Sequence, residues 1–245
     1  MIVRAIAVPY PPLLVPELVG GAVARTEPIR AACQRVATEL VEVAEEWIAV
    51  AADPAGPARF APPVGGTFLG YGVDVPVWLA DPTDPTGGAG PDPELPLPVL
   101  IAGWLRAAAG ARSVRVRLIA PDTPVAECLR LGADLAAEHA GPDPVGLLVL
   151  ADGSNQHGEQ APGGVDDRAE PFDTEVAAAL AKADTDTLLG LDPGLAAELG
   201  ATGRAAWQVL AGVAVATGPE AWRARLEYSE APFGVAYHVA LWEPA

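Results

Sequence analysis

Residues 150–173, LADGSNQHGEQAPGGVDDRAEPFD, hold Asp152, Ser154, Asn155, His157, Glu159, Asp166, Asp167 and Arg168 in one stretch punctuated by glycine and proline. Carboxylates, an imidazole, a hydroxyl and an amide at this density can supply acid/base groups, ligand hydrogen bonds or metal-binding atoms. Ser154 lacks the G-x-S-x-G turn of a hydrolase nucleophile, and a histidine three residues further along a loop does not make a triad. Asp152, His157 and Glu159 have the ligand types of a mononuclear iron centre, at a spacing that matches no established pattern. The plain alternative is that Asp152 and Ser154 shape a turn, Asp166 or Arg168 pins the loop, and His157 faces solvent. A second candidate is Tyr10 in AVPYPPLLVPELVGG (7–21), where Pro9 and Pro11 flank it and Pro12 and Pro16 follow. Proline fixes φ and drives the preceding residue towards extended geometry, so a rigid, non-helical turn presenting Tyr10 is expected.

Both candidates need elements to hold them. Residues 2–8 read as a buried strand. Ile29, Cys33, Val36, Leu40 and Val43 recur at helical spacing, which predicts a helix over 24–44. EWIAVAA (46–52) reads as a second strand, giving a β-α-β opening with a parallel pairing. GGTFLGYGVDVPVWLA suits edge or hairpin strands, and the Pro/Gly/Asp stretch 81–98 reads as a long mobile loop. A helix over 97–109, a strand SVRVRLIA (113–120) and a helix begun by a Thr cap in TPVAECLRLGADLAAEH come next. VGLLVLADG (145–153) is a continuous apolar run, the mark of a strand buried on both faces. It feeds the polar loop directly, and in open α/β sheets ligands bind beyond the carboxyl ends of such strands. The last third is mostly helical and closes with two strands, ARLEYSE and GVAYHVALW. Strands and helices alternate throughout with no linker, so a single α/β domain over 1–245 with a mixed sheet flanked by helices is predicted.

The bulk composition narrows the partners. With 32 acidic and 15 basic side chains, the net charge of −17 disfavours nucleic acid and anionic membrane surfaces. The N-terminal apolar run carries Arg4 and stops at Pro9, too short for a signal-peptide core, and no run approaches the roughly 18 apolar residues of a membrane span. A cytoplasmic protein is therefore expected. Cys33 and Cys128 fall in helix-like patterns without a C-x-x-C partner, which predicts buried free thiols. His139 ends a helix, where a cation complements the dipole, and His238 in the last strand faces core or pocket according to the alternation. No G-x-G-x-x-G, phosphate loop or zinc-type cluster is present, so nucleotide and structural-zinc readings lack support.

Four segments together resemble one family: PYPPLLVPEL, ADGSNQHGEQAPGGVDDRAEPFD, LDPGLAAELGATGRAAWQVLAG and EAPFGVAYHVALW. They are similar to the class III extradiol ring-cleavage dioxygenase superfamily, typified by the β subunit of protocatechuate 4,5-dioxygenase, and more closely to an actinobacterial branch of it. The resemblance implies the α/β fold of that β subunit, self-association, and a site in which two histidines and a glutamate hold Fe(II) while another histidine acts as acid/base. In this chain the first histidine position is Tyr10, and the second falls at Ala55 after Pro54. The acid/base position in the Asp-x-Ser-His pattern is Asn155, after Asp152 and Ser154, and the carboxylate ligand is Glu230. Alanine and neutral asparagine give iron little, and a phenol favours ferric iron only when ionised.

The reading that follows is an extradiol-dioxygenase-like protein with a degraded metal site and no cofactor. It binds a small aromatic or carbonyl-bearing molecule through Tyr10, Asp152, Asn155 and His157, with Ser154, Arg168 and Glu230 around the ligand. The alternative is an enzyme. One form is an Fe(II) dioxygenase acting on a catechol through the relocated set His157, Glu159 and Glu230; the other is a metal-free catalyst using Tyr10 with Asp152.

Overall fold

The computed structural model describes residues 1–81 and 90–245. In chain order, β1 (Ile2–Val8) leads through a 3-10 turn at Pro12–Leu14 and a short α1 (Pro16–Val19) to α2 (Val23–Val41) and β2 (Glu46–Ala52). Then come β3 (Ala58–Phe60), β4 (Gly65–Thr67), β5 (Pro76–Trp78), α3 (Leu97–Ala109), β6 (Ser113–Ile119), α4 (Val125–Glu138) and β7 (Val145–Leu150). The remainder is α5 (Ala169–Leu180), α6 (Thr185–Gly190), α7 (Pro193–Glu198), α8 (Arg204–Thr217), β8 (Trp222–Glu230) and β9 (Tyr237–Pro244).

Seven strands form one mixed sheet in the order β3-β6-β2-β7-β1-β9-β8, with β4 and β5 paired separately. The apolar run of β7 sits at the centre, parallel to β1 on one side and β2 on the other. The two strands of the β-α-β opening are parallel as predicted, but they do not pair with each other, because β7 is inserted between them. The two faces carry separate cores. Side chains of α2 and α3 pack on one, including Ile29, Cys33, Val36, Leu40 and Leu105, and those of α4 to α8 pack on the other. Cys33 and Cys128 are buried free thiols. Arg4, a charge inside β1, is accommodated because Nη1 donates to Glu39 O at 2.5 Å and Nη2 meets Glu243 at 3.0 Å.

Several local expectations change. The proline segment after β1 does contain helical turns: once Pro11 has set an extended entry, Pro12 and Pro16 occupy first-turn positions, where a missing N–H costs nothing. The helix expected over 24–44 ends at Val41, because the chain turns so that Trp47 Nε1 can donate to Ala44 O at 2.8 Å; Val43 is left exposed. Thr123 does not cap α4. Its hydroxyl donates to Ala120 O at 2.6 Å, and Pro124 takes the cap position. Burial lowers the His139 pKa against the raising effect of the Glu138 charge. The short strand β3, pairing antiparallel with β6, had no visible pattern. Residues 82–89 of the predicted 81–98 loop lie outside the described residues; Asp92 bridges to Gly66, and α3 starts at Leu97. Among the described residues no helix is long and apolar enough to cross a membrane.

Candidate functional site

Register places three strand ends level. Val8 of β1 pairs with Leu150 of β7, and Ala51 of β2 pairs with the same Leu150. After β1 the chain leaves towards α2 on one face of the sheet, and after β7 towards α5 on the other. Such a parting of adjacent strands opens a crevice at their carboxyl ends. Tyr10 and Asp152 each stand two residues beyond their strand, on either side of it.

The two are joined directly. Tyr10 N–H donates to Asp152 Oδ1 at 3.0 Å. The Tyr10 phenol passes over the end of β7 and donates to the Ala52 carbonyl of β2 at 3.2 Å. Since the single phenolic hydrogen is used there, the 3.1 Å contact with Thr202 Oγ1 is a hydrogen bond donated by the threonine. Gly203, just before α8, donates its N–H to Asp152 O at 2.8 Å, and a Cβ at this position would lie 2.6 Å from that oxygen. A glycine is what lets α8 start against the end of β7.

Burial, reinforced by the Asp152 charge, raises the Tyr10 pKa well above the ordinary phenol range, so Tyr10 is a neutral donor. Asp152 is pushed up to about 7 by burial, against the lowering effect of the Tyr10 N–H. Its carboxyl therefore changes charge near neutrality. Burial and the same carboxylate also raise buried Tyr237, whereas Tyr228 is pushed up to about 12 by burial and by Glu230.

A second polar cluster is centred on Asp173 of α5. His157 Nε2 lies 2.6 Å from Asp173 Oδ2, and His238 Nε2 of β9 lies 3.2 Å from Oδ1. Ser154 N–H donates to the same carboxylate at 3.1 Å, and Ser229 Oγ meets His238 Nδ1 at 3.0 Å. Asp173 accepts the Ser154 N–H, and the Nε2 atoms of both imidazoles turn to its two oxygens. His157 is thus half-buried and anchored, not solvent-facing. His238 belongs to the core.

The other residues read from sequence are scattered around these clusters. Ser154 is fully buried, its hydroxyl donating to Leu199 O at 2.8 Å. The Asn155 side chain is wedged against Gly163 and Gly200, and its Oδ1 has no hydrogen-bond partner. Arg168 ties the exposed loop together through Asp166 and Glu198, both at 2.7 Å. Glu159 is exposed. Glu230 is exposed at the end of β8, 3.3 Å from the Tyr228 hydroxyl. No hydrogen bond joins Tyr10, Asn155, His157 and Glu230 to one another.

This donor set does not fit the Fe(II) that the resemblance implies. Tyr10 is neutral with its hydrogen committed, Ala55 offers no side-chain donor atom, Asn155 is confined between glycines, and Glu230 is exposed at the end of β8. Among the described residues no three His, Cys, Asp or Glu side chains are placed to hold a metal, so His157, Glu159 and Glu230 do not form a relocated set.

The fold has a solved counterpart. The crystal structure of uncharacterized protein JW3007 from Escherichia coli K12 is similar over 98% of this chain and 99% of that one, with a TM-score of 0.51 and 13% sequence identity. At that identity the likeness establishes the α/β architecture alone. Neither a protein-family model nor a curated protein sequence matches the chain.

Sequence reasoning missed Asp173, Thr202 and the Ala52 carbonyl. Asp173 closes the quoted polar motif, but inside a helix with an apolar stripe it carries no visible mark. Thr202 and Ala52 reach the site only through folding, from 192 and 42 residues away.

Proposed function

We propose that this chain is an extradiol-dioxygenase-like protein in which a neutral phenol stands at the first iron-ligand position, and that it binds a small aromatic or carbonyl-bearing molecule without ordinary ring cleavage. The observation that carries this reading is Tyr10 itself: its N–H and hydroxyl bind Asp152, Ala52 and Thr202 across the ends of β1, β7 and β2. A buried phenol held in this way supports a hydrogen-bonding role and offers no anionic oxygen to a metal. Buried Tyr237, close enough to Asp152 to respond to its charge, adds a second phenol that suits an aromatic ligand.

The experiment is anaerobic Fe(II) reconstitution followed by metal analysis and oxygen uptake on a panel of catechols, with thermal shift on the same catechols and on hydroxybenzaldehydes. The expected result is iron far below stoichiometric, no uptake, and a raised melting temperature with at least one aromatic compound. Stoichiometric Fe(II) that is lost in Glu230→Gln would sink the proposal.

A second reading is favoured by one specific observation, the Asp152 pKa of about 7 beside Tyr10. A carboxyl with that pKa can take and return a proton at neutral pH, as a metal-free acid/base catalyst requires. Turnover of a bound aromatic carbonyl compound that rises through pH 7 and disappears in Asp152→Asn would favour this reading over simple binding.

A further inference from the structure

Four arginines are buried among the described residues: Arg30, Arg106, Arg117 and Arg204. The first three each meet a carboxylate, from Glu27, Asp81 and Glu138 respectively. Arg204 meets neutral groups at hydrogen-bonding distance. Nη1 donates to Thr123 O at 2.7 Å and Gln208 Oε1 at 2.8 Å, and Nη2 donates to Pro121 O at 2.6 Å. A guanidinium has five N–H donors, so Nε–H and one Nη2–H meet no protein oxygen among the described residues, and the Cys128 thiol lies against the same guanidinium. Carbonyls satisfy hydrogen bonds without cancelling charge, and a buried cation with no anion beside it is costly.

Arg204 stands in the wall of a cleft of ≈ 430 Å³ between α7, the start of α8 and the segment after β6. Small apolar residues dominate the rest of the wall, including Pro193, Ala196, Ala197 and Ala201, and no aromatic side chain lines it. The α8 N-terminus has no side-chain cap, so its positive end adds to the Arg204 charge on this side. Two carboxylates lie nearby. Asp122 lines the cleft but is exposed at its rim, and Asp192 is exposed and already caps α7 by accepting Leu195 N–H at 2.7 Å. Solvent screens these two far more than it screens the buried guanidinium. One guanidinium in the wall with two rim carboxylates suits a single negative charge and works against a phosphate dianion.

We propose that this cleft is a binding site for small aliphatic monocarboxylates, with the carboxylate on Arg204 and the alkyl body against Pro193, Ala196 and Ala197. Thr202, which meets the Tyr10 hydroxyl, also lines this cleft, but the carboxylate contact assigned here is to Arg204 and does not rest on the Tyr10 reading.

Calorimetric titration with sodium butyrate, and in parallel with the uncharged isostere butyramide, tests it. Butyrate is expected to bind at least about tenfold more tightly than butyramide, the scale of one charge-assisted hydrogen bond. Arg204 is itself buried, so its removal endangers folding. Ala197 is exposed on α7, and Ala197→Phe narrows the cleft without touching the Arg204 hydrogen bonds. This variant is expected to keep the parent circular dichroism spectrum and lose butyrate binding. Equal binding of butyrate and butyramide, no butyrate binding at millimolar concentration, or undiminished binding by a folded Ala197→Phe protein would each overturn the inference.

Discussion

Asp152 shows how one side chain can set a pH response. Its carboxyl is raised from 3.8 to about 7 by burial, so between those values the folded chain binds more protons than the unfolded one. The stabilisation is fully present below about pH 4 and is lost as pH rises through about 7. Asp152→Asn keeps an acceptor for Tyr10 N–H and removes the titrating group. Urea unfolding is expected to find the variant on the order of 2 kcal/mol more stable than the parent at pH 8, after allowing for solvent that reaches the group, and equal to it at pH 4. A variant no more stable at pH 8 than at pH 4, relative to the parent, would contradict an Asp152 whose pKa is raised by desolvation.

Helix α8 brings Thr202 and Gly203 to the site, and its own position depends on how closely α4 can approach. Gly132 of α4 faces the α8 backbone: a Cβ there would lie 2.5 Å from Val209 O and from Val213 N. Reciprocally, a Cβ on Gly212 would lie 2.7 Å from Leu129 O. Backbone on both sides leaves nothing flexible to yield, so Gly132→Ala must push the helices apart. The gain in helix propensity, up to about 1 kcal/mol, is smaller than the overpacking cost of about 1–3 kcal/mol. A net loss of stability is expected on denaturant unfolding. Any rise in stability would show that α4 and α8 are less tightly apposed.

For the molecule as a whole the dominant electrostatic fact is the net charge of −17. Surface ion pairs such as Arg168 with Glu198 are weakened by salt, but each exposed pair contributes only about 0–1 kcal/mol. Self-repulsion among 32 acidic groups acts against the compact state and is screened by the same salt. Repulsion wins this balance, so the melting temperature is expected to rise between low and physiological ionic strength. A falling melting temperature in differential scanning calorimetry would mean that the ion pairs matter more than the net charge.

The sequence by itself determined the α/β class and most element positions, because periodicity is a local property. The unbroken apolar run 145–150 could only be a strand buried on both faces, and the stripe Ile29, Cys33, Val36, Leu40 only a helix face. It also marked Tyr10 and Asp152 as neighbours of strand ends. Only the tertiary structure decided that β7 inserts between β1 and β2, which makes those two residues partners and carries the phenol across to Ala52. Only folding brought Thr202, Asp173 and His238 to the strand ends, since hydrogen bonds over such separations leave no periodic trace. Charge state, too, belongs to the fold. A tyrosine and an aspartate in sequence have ordinary pKa values, and burial in the fold raises Tyr10 well above the phenol range and moves Asp152 to about 7.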